Sequence, residues 1–190
     1  MVNWRKRKRK KKEQALVRFR KHRQKNLLAE PGIHDFIVVL DHLKQGYNIP
    51  KIFRSAEALG AAEVSLIGIE FFDPAPAMGS FKHVPARFFD SFDQCHRELM
   101  ARGYTLFALD PGARRELPQT LLPVKSAFVF GHEEFGLSFQ PGQYDRLKTI
   151  RIPQFGRVQS MNVSNVASIV MYEYIRQHRC ASDDHFSPDG

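Results

Sequence analysis

The chain has little of what metal-binding, secreted and membrane-spanning proteins are built on. Its two cysteines, Cys95 and Cys180, stand far apart without CxxC or mixed Cys/His spacing, which favours two reduced thiols over a disulfide or a zinc site. No apolar run approaches the length of a membrane span, and the basic N-terminus leads into a charged segment instead of the apolar region of a signal peptide. A cytoplasmic protein is expected. The stretch GHEEFG lacks the second histidine of HExxH and the Gly-Lys-Ser/Thr of a P-loop, and GxGxxG does not occur. Zinc-protease, nucleotide-triphosphatase and ordinary dinucleotide-binding readings therefore fail, and nothing in the chain asks for a metal. There is no internal repeat.

What is present is a chain of 190 residues, 43% hydrophobic and with 16 Phe, enough to bury one sizeable core in one domain plus tails. The net charge of +9 is unevenly placed. Residues 1–25 hold 13 Lys and Arg against one Glu, and the remainder is slightly acidic. Within this arm Leu16, Phe19 and Leu27 form a thin apolar stripe, and Pro31 and Gly32 close it, so residues 1–33 read as a basic, partly helical or disordered extension. Like charges repel and little apolar area is offered, so the arm alone is expected to be mostly unfolded. A solubilising tail or a nuclear-import signal has the same composition. Nucleic-acid binding is the preferred reading, because a polybasic arm gains counterion-release free energy on any polyphosphate. Membrane-surface attachment is disfavoured by the narrow apolar face, whose bulky anchors are only Phe19 and Trp4.

From residue 34 the composition changes to alternating segments. DFIVVL, AEVSLIGI, YTLFAL, SAFVF and KTIRI read as strands, and IPKIFRSAEALGA and SFDQCHRELMARG as helices. Such alternation predicts an α/β domain with a mostly parallel sheet flanked by helices over residues 34–179. FFDPAPAMGSFKHVPARFF reads as one long loop, and residues 180–190 as a flexible tail.

Three turns follow directly on predicted strands: DPG after YTLFAL, GHEEFG after SAFVF and PQFG after KTIRI. In open parallel sheets the crevice beyond the carboxyl ends of the strands is where ligands bind, so Leu109, Gly131 and Ile152 mark a candidate small-molecule site. A purely structural role, turning the chain, is equally open to the glycines. Residues 160–175, SMNVSNVASIVMYEYI, place Val163, Val166, Val170 and Tyr174 at helical spacing, with Ser160, Asn162, Ser164 and Asn165 crowded at the start. One of these is explained as an N-cap; four are not. For contact with nucleic acid, the basic arm offers Arg5, Lys6, Arg7, Lys8, Arg9 and Lys10. The long loop offers Lys82, His83 and Arg87, beside Phe81 and Phe88 for base stacking.

Three blocks in order support a resemblance: NIPKIFRSAEALG at 48–60, GHEEFGLS at 131–138, and Ile152 and Pro153 with SMNVS at 160–164. Together they resemble the SpoU-type branch of the SPOUT RNA methyltransferases, trefoil-knotted enzymes that methylate ribose 2′-hydroxyls. The likeness covers roughly residues 35–178 and departs at Pro50, where the family usually has glycine. It implies a deep C-terminal trefoil knot and a homodimer in which the partner chain completes the site. It also implies S-adenosyl-L-methionine bound through Leu109, Gly131, Ile152, Pro153, Ser160 and Met161. The implied catalytic set is Arg54, Asn48, Glu133, Ser160 and Asn162, with Asn48 expected to orient Arg54 and Glu133 to hold the geometry. The implied activity is S-adenosylmethionine-dependent methylation of a ribose 2′-hydroxyl in tRNA or rRNA, the alternative being a catalytically inactive knotted RNA-binding protein. Arginine is a poor base, so Arg54 is either the family's proton acceptor or a bidentate clamp on substrate phosphate. A surface ion pair with Glu57 would be its purely structural role.

Overall fold

The structure, a computed structural model, describes residues 4–158 and 160–178. Cys180 and the predicted tail lie outside the described residues. The central strand β1 (His34–Asp41) and its neighbour β2 (Ala61–Ile67) are apolar on both faces and almost wholly buried, as strands of a parallel sheet covered on both sides must be. Four further strands complete the sheet: β3 (Ala86–Phe89), β4 (Thr105–Leu109), β5 (Ser126–Phe130) and β6 (Leu147–Ile150). Their spatial order is β3-β2-β1-β5-β4-β6, with every pair parallel. The mostly parallel α/β prediction therefore holds.

The alternation of strand side chains separates two cores. Phe36, Val38 and Leu40 of β1 face a core shared with helix α2 (Asn48–Ala58) and helix α4 (Val163–His178), which contains Phe53, Phe72, Phe81, Phe128 and Tyr174. Ile37 and Val39 face a smaller core closed by helix α3 (Phe92–Ala101) through Cys95 and Leu99. Ser91 caps α3, accepting a hydrogen bond from the backbone N–H of Gln94.

β1 is where the chain changes direction across the sheet. β2 and β3 are added on one side of it, and β5, β4 and β6 on the other. The crevice beyond the carboxyl ends of β1 and β5 is thus a topological switch point. After edge strand β6 the chain returns to the middle of the sheet, where α4 lies over β1 and β5 and packs on α2 with the Ser55 and Ser168 hydroxyls 2.9 Å apart.

Two expectations are corrected. Residues 71–89 are not a single loop: two short 3₁₀ turns lead into β3, which pairs with β2 and carries Arg87. Pro and Gly punctuate the segment densely, and the four-residue edge strand at its end is too short to announce itself. The second correction concerns which residues of the arm's apolar stripe are buried. Helix α1 (Trp4–Asn26) is continuous, and its last three turns are docked on the domain. The docked face is Ala15, Phe19, His22 and Asn26, one helical stripe in which Ala15, Phe19 and Asn26 are buried. Phe19 sits among the rings of Phe71, Phe72, Phe81 and Phe88. Asn26 donates to the carbonyls of Phe81 and Val84 at 2.7 and 2.6 Å and accepts from the N–H of Ala86 at 3.2 Å. Arg18 closes a two-toothed ion pair on Asp73, with bonds of 3.2 and 2.9 Å. Leu27, which the hydrophobic stripe includes, is exposed instead. Side chains pack by shape and hydrogen bonding as well as by hydropathy, and the anchors here are an alanine, one ring and an amide.

Candidate active site

The turns that leave β4 and β5, and the segment that follows β6, converge with the first turns of α2 and α4 around a cavity of about 620 Å³. Its inner wall is apolar, from Leu109, Phe130, Ile152, Met161, Val163 and Val166, while Lys44, Asn48, Asp110, Glu133, Ser160 and Asn162 give it a polar side. Val163 and Val166 therefore face the cavity and are only half-buried. Ser164, Ala167, Val170, Met171 and Tyr174 form the face of α4 set into the core.

Hydrogen bonds tie the polar residues into one chain. Asn48 donates to Oε1 of Glu133 at 2.9 Å, and the backbone N–H of Lys44 donates to Oε2 at 3.0 Å. Asn162 donates to the side-chain oxygen of Asn48 at 3.2 Å. The carbonyl oxygen of the Asn162 side chain in turn accepts from the N–H and hydroxyl of Ser164, at 2.9 and 2.5 Å. Asn162 is thus the N-cap of α4, and its amide group is still available to join α4 to α2. Burial pushes the Glu133 carboxyl upward, but the Lys44 N–H, the Asn48 amide and nearby His132 outweigh it and hold the group below its ordinary value. Beside it, the hydrogen bond and charge of Glu134 raise the pKa of Lys44, whose Nζ lies 2.8 Å from the carboxylate.

The turn carrying Glu133 is braced from within. Gly131 approaches the backbone of Gly136 so closely that a Cβ there would lie 2.5 Å from its carbonyl carbon, so no larger residue fits without moving the turn. His132 and Gly136 exchange backbone hydrogen bonds of 2.8 and 2.9 Å. Nδ1 of His132 accepts from the N–H groups of Glu134 and Phe135, which leaves the proton of the neutral ring on Nε2.

Asp41, at the carboxyl end of β1, anchors the far end of that turn. Fully buried, it accepts from the N–H and hydroxyl of Ser138 at 2.7 and 2.8 Å and from Nδ1 of His42 at 2.7 Å. Sequence reasoning missed it, although an aspartate ending an otherwise apolar central strand was a readable signal. Lys44, Asp110 and Arg151 were missed as well. Arg151 donates to Glu116 at 2.8 Å, and its backbone joins residues 115 and 117, so the segment after β6 is strapped to the one after β4.

Of the residues nominated from sequence, Leu109, Gly131, Ile152, Ser160 and Met161 line the cavity together with Asn48, Glu133 and Asn162. Pro153 is not among the lining residues. Arg54 is exposed on α2, outside the cavity of its own chain, and among the described residues no carboxylate pairs with it, Glu57 included. The side chain of Asn48 is engaged by Glu133 and Asn162 rather than by Arg54.

The RNA-contact nominees divide. Lys6, Arg7, Lys8, Arg9 and Lys10 are exposed on the free half of α1, and the Arg5 side chain lies outside the described residues. Lys82 is half-buried beside α1, and Arg87 pairs with Glu98 on the edge strand. Phe81 is fully buried in the core and Phe88 packs on Phe19 and under Arg23, so neither ring is free to stack on a base. Among the described residues no cluster of His, Cys, Asp and Glu could hold a metal, and no helix is long and apolar enough to cross a membrane.

The cavity volume falls in the range of sites that enclose organic cofactors, and its apolar wall with polar groups at one side suits a heteroaromatic ring carrying a charged tail. A model of the SpoU rRNA Methylase family matches residues 35–172. The tRNA (guanosine(18)-2′-O)-methyltransferase of Thermus thermophilus is 32% identical over 151 residues, covering 75% of this chain and 75% of its own. The 23S rRNA (guanosine-2′-O-)-methyltransferase RlmB of Neisseria meningitidis is 30% identical over 156 residues, covering 79% of this chain and 60% of its own. Among solved structures, the SpoU methyltransferase AviRb of Streptomyces viridochromogenes in complex with AdoMet aligns with a TM-score of 0.69 at 29% identity, over 77% of this chain and 59% of that one. The A. aeolicus TrmH/SpoU tRNA modifying enzyme aligns with a TM-score of 0.68 at 26% identity, over 83% and 82% of the two chains.

Proposed function

From the premise that the chain belongs to the SpoU rRNA Methylase family, we propose that it is an S-adenosylmethionine-dependent methyltransferase acting on a ribose 2′-hydroxyl of tRNA or rRNA. The observation that carries this reading is the Glu133–Asn48–Asn162 chain beside the cavity, where residues of all three sequence blocks meet. S-adenosylmethionine bound there supplies a methyl group already activated on a sulfonium. What remains for the protein is alignment of the ribose oxygen and removal of its proton.

Leu109, Ile152, Met161, Val163 and Val166 exclude water from the cavity, and the backbone about Gly131 forms its floor. Glu133, kept ionised by the Lys44 N–H and the Asn48 amide, holds α2 and the turn after β5 in register. Asn162 extends that register to α4. Arg54 presents an uncommitted guanidinium, which suits a two-pronged clamp on the phosphate beside the reacting ribose and lowers the cost of charge developing on its oxygen.

Because Arg54 lies outside the cavity of its own chain, the working unit is a homodimer in which Arg54 serves the partner's cavity. Exposed Ile169 and Tyr172 on α4 supply apolar surface for that contact. The return of the chain from edge strand β6 to α2, strapped to the segment after β4 by Arg151, supports the trefoil knot that the resemblance implies. Residues 6–14 of α1, exposed and strongly basic, are the first contact with RNA, and residues 34–179 the methyltransferase domain. The reading is tested by incubating the protein with S-adenosylmethionine and unfractionated tRNA and rRNA and digesting to nucleosides. A 2′-O-methylated nucleoside is expected. A folded protein that binds the cofactor and methylates neither pool is instead the inactive RNA-binding protein.

A further inference from the structure

A second hollow, of about 470 Å³, lies at the carboxyl end of β4 and beside edge strand β6, and shares Asp110 with the cavity described above. Arg114 and Arg115 line it from the segment after β4, and Lys148 lines it from β6. All three are exposed, and among the described residues none is within ion-pair distance of a carboxylate. The lone acid of the hollow, Asp110, already accepts the N–H of Gly112 at 2.8 Å. Elsewhere on this domain exposed cations are often committed: Lys44, Arg87 and Arg176 are each paired with a glutamate. Here three positive charges face one carboxylate that turns toward its own backbone.

We propose that Arg114, Arg115 and Lys148 form a saddle for the RNA sugar–phosphate backbone, holding the strand next to the nucleotide presented to the cavity. The inference rests on the methyltransferase reading for its choice of RNA. Three arguments support it. Unpaired cations around a concavity raise the local concentration of polyanions, and no ion pair has to be broken when they bind. The shared Asp110 places the saddle beside the methyl-transfer cavity, so phosphates bound here set the register of the strand. Finally, the backbone around the saddle is rigid. Arg151 is held on both sides: its N–H donates to the carbonyl of Arg115 at 2.9 Å, and its carbonyl accepts from the N–H of Leu117 at 2.8 Å. Thr149 pairs with Ala108 in the sheet. Charges on a rigid frame position a ligand better than the same charges on a loose tail.

The arrangement divides the labour of RNA binding. The free half of α1 is a sequence-blind collector on a helix about 34 Å long at 1.5 Å per residue, whereas the saddle acts at the site of reaction.

The test uses the full-length protein and the variant R114A/R115A/K148A, with unfractionated tRNA and rRNA fragments as probes. Binding is measured from low to moderate salt, and cofactor affinity and thermal unfolding serve as the check that the variant is folded. The wild-type salt slope is expected to fall by about one for each phosphate the saddle no longer holds, with RNA binding weakened at least tenfold and S-adenosylmethionine affinity held. The single variants R114A, R115A and K148A are expected to give graded parts of that loss, which keeps the proposal testable if the triple variant does not fold. An unchanged slope and RNA affinity in a variant that still binds the cofactor overturns the saddle. So does a variant whose affinity for inorganic phosphate falls while its affinity for RNA stays. Because the readout is binding, it stands apart from the functional reading, which fails instead if the wild-type protein transfers no methyl group.

Discussion

Asn48 donates its side-chain amide to Glu133 at 2.9 Å, joining the first turn of α2 to the turn after β5 across 85 residues of chain. The same side chain accepts from Asn162, so one amide fastens three elements at the polar side of the cavity.

Asn48→Ala breaks both bonds and leaves Glu133 held at one oxygen, by the Lys44 N–H, with its link to α4 through Asn162 lost. Misplacing reacting groups by about 1 Å costs on the order of 10²-fold in rate, and a loss of that size in single-turnover methyl transfer is expected. Thermal stability is expected to change little, because the pair is exposed. A variant with the wild-type rate would show that the three-way link is ornamental.

Asp41→Ala removes the buried acceptor of Ser138 and His42. Hydrogen bonds to a charged group contribute about 1.5–3 kcal/mol, so a lower unfolding temperature and weaker S-adenosylmethionine binding are expected together. Calorimetry of both quantities on one preparation checks this. Loss of stability with cofactor affinity intact would separate the strand end from the turn it holds.

Phe19→Ala empties a place among four phenylalanine rings. A buried Phe→Ala change costs about 3–5 kcal/mol, and here the loss is expected to appear as release of α1. Limited trypsin digestion should then cut throughout residues 5–25 while the domain keeps its cofactor affinity. A helix that stays protected would place the docking energy in Asn26 and Arg18 instead.

The attachment of α1 is expected to weaken in mild acid. Burial lowers the pKa of His22, and Lys82, Lys21, Lys25 and Arg18 act in the same direction, with Asp73 the carboxylate nearby. The ring is therefore easier to protonate when α1 is released. Its contribution is complete above the ordinary value of 6.5 and is lost as pH falls below it toward the folded-state value. Trypsin sensitivity of α1 should rise between neutral pH and about pH 5.5 at constant domain stability, and His22→Asn should flatten the response. A pH-independent digestion pattern would remove His22 from the account.

Much of this architecture was legible because it follows simple periods. Five of the six strands stand out as short strand-like runs, β2, β4 and β5 closed within two residues by glycine or proline, and α2 and α3 carry their buried residues at helical spacing. The cavity was legible at Leu109, Gly131 and Ile152 through the strand-then-turn pattern alone. Three features were not. β3 pairs through only four residues, so its signal is lost among prolines. The docking of α1 depends on Asn26 finding two carbonyls and an N–H more than fifty positions away, which no local pattern records. Asp41 is visible as an anomaly in a strand, but its partner Ser138 is 97 positions distant. The saddle cations read in sequence as ordinary surface charge; what distinguishes them is the lack of carboxylates around them in space.

The central claim is ribose methylation with Arg54 at the reaction centre, and label transfer tests it most directly. Labelled S-adenosylmethionine is supplied to wild-type protein and to Arg54→Ala, each with tRNA and rRNA from cells lacking the protein, and the labelled nucleosides are identified after digestion. The account predicts a 2′-O-methyl nucleoside from the wild type and a loss on the order of 10²-fold or more in the variant. Label on a base, or equal transfer by Arg54→Ala, would contradict it.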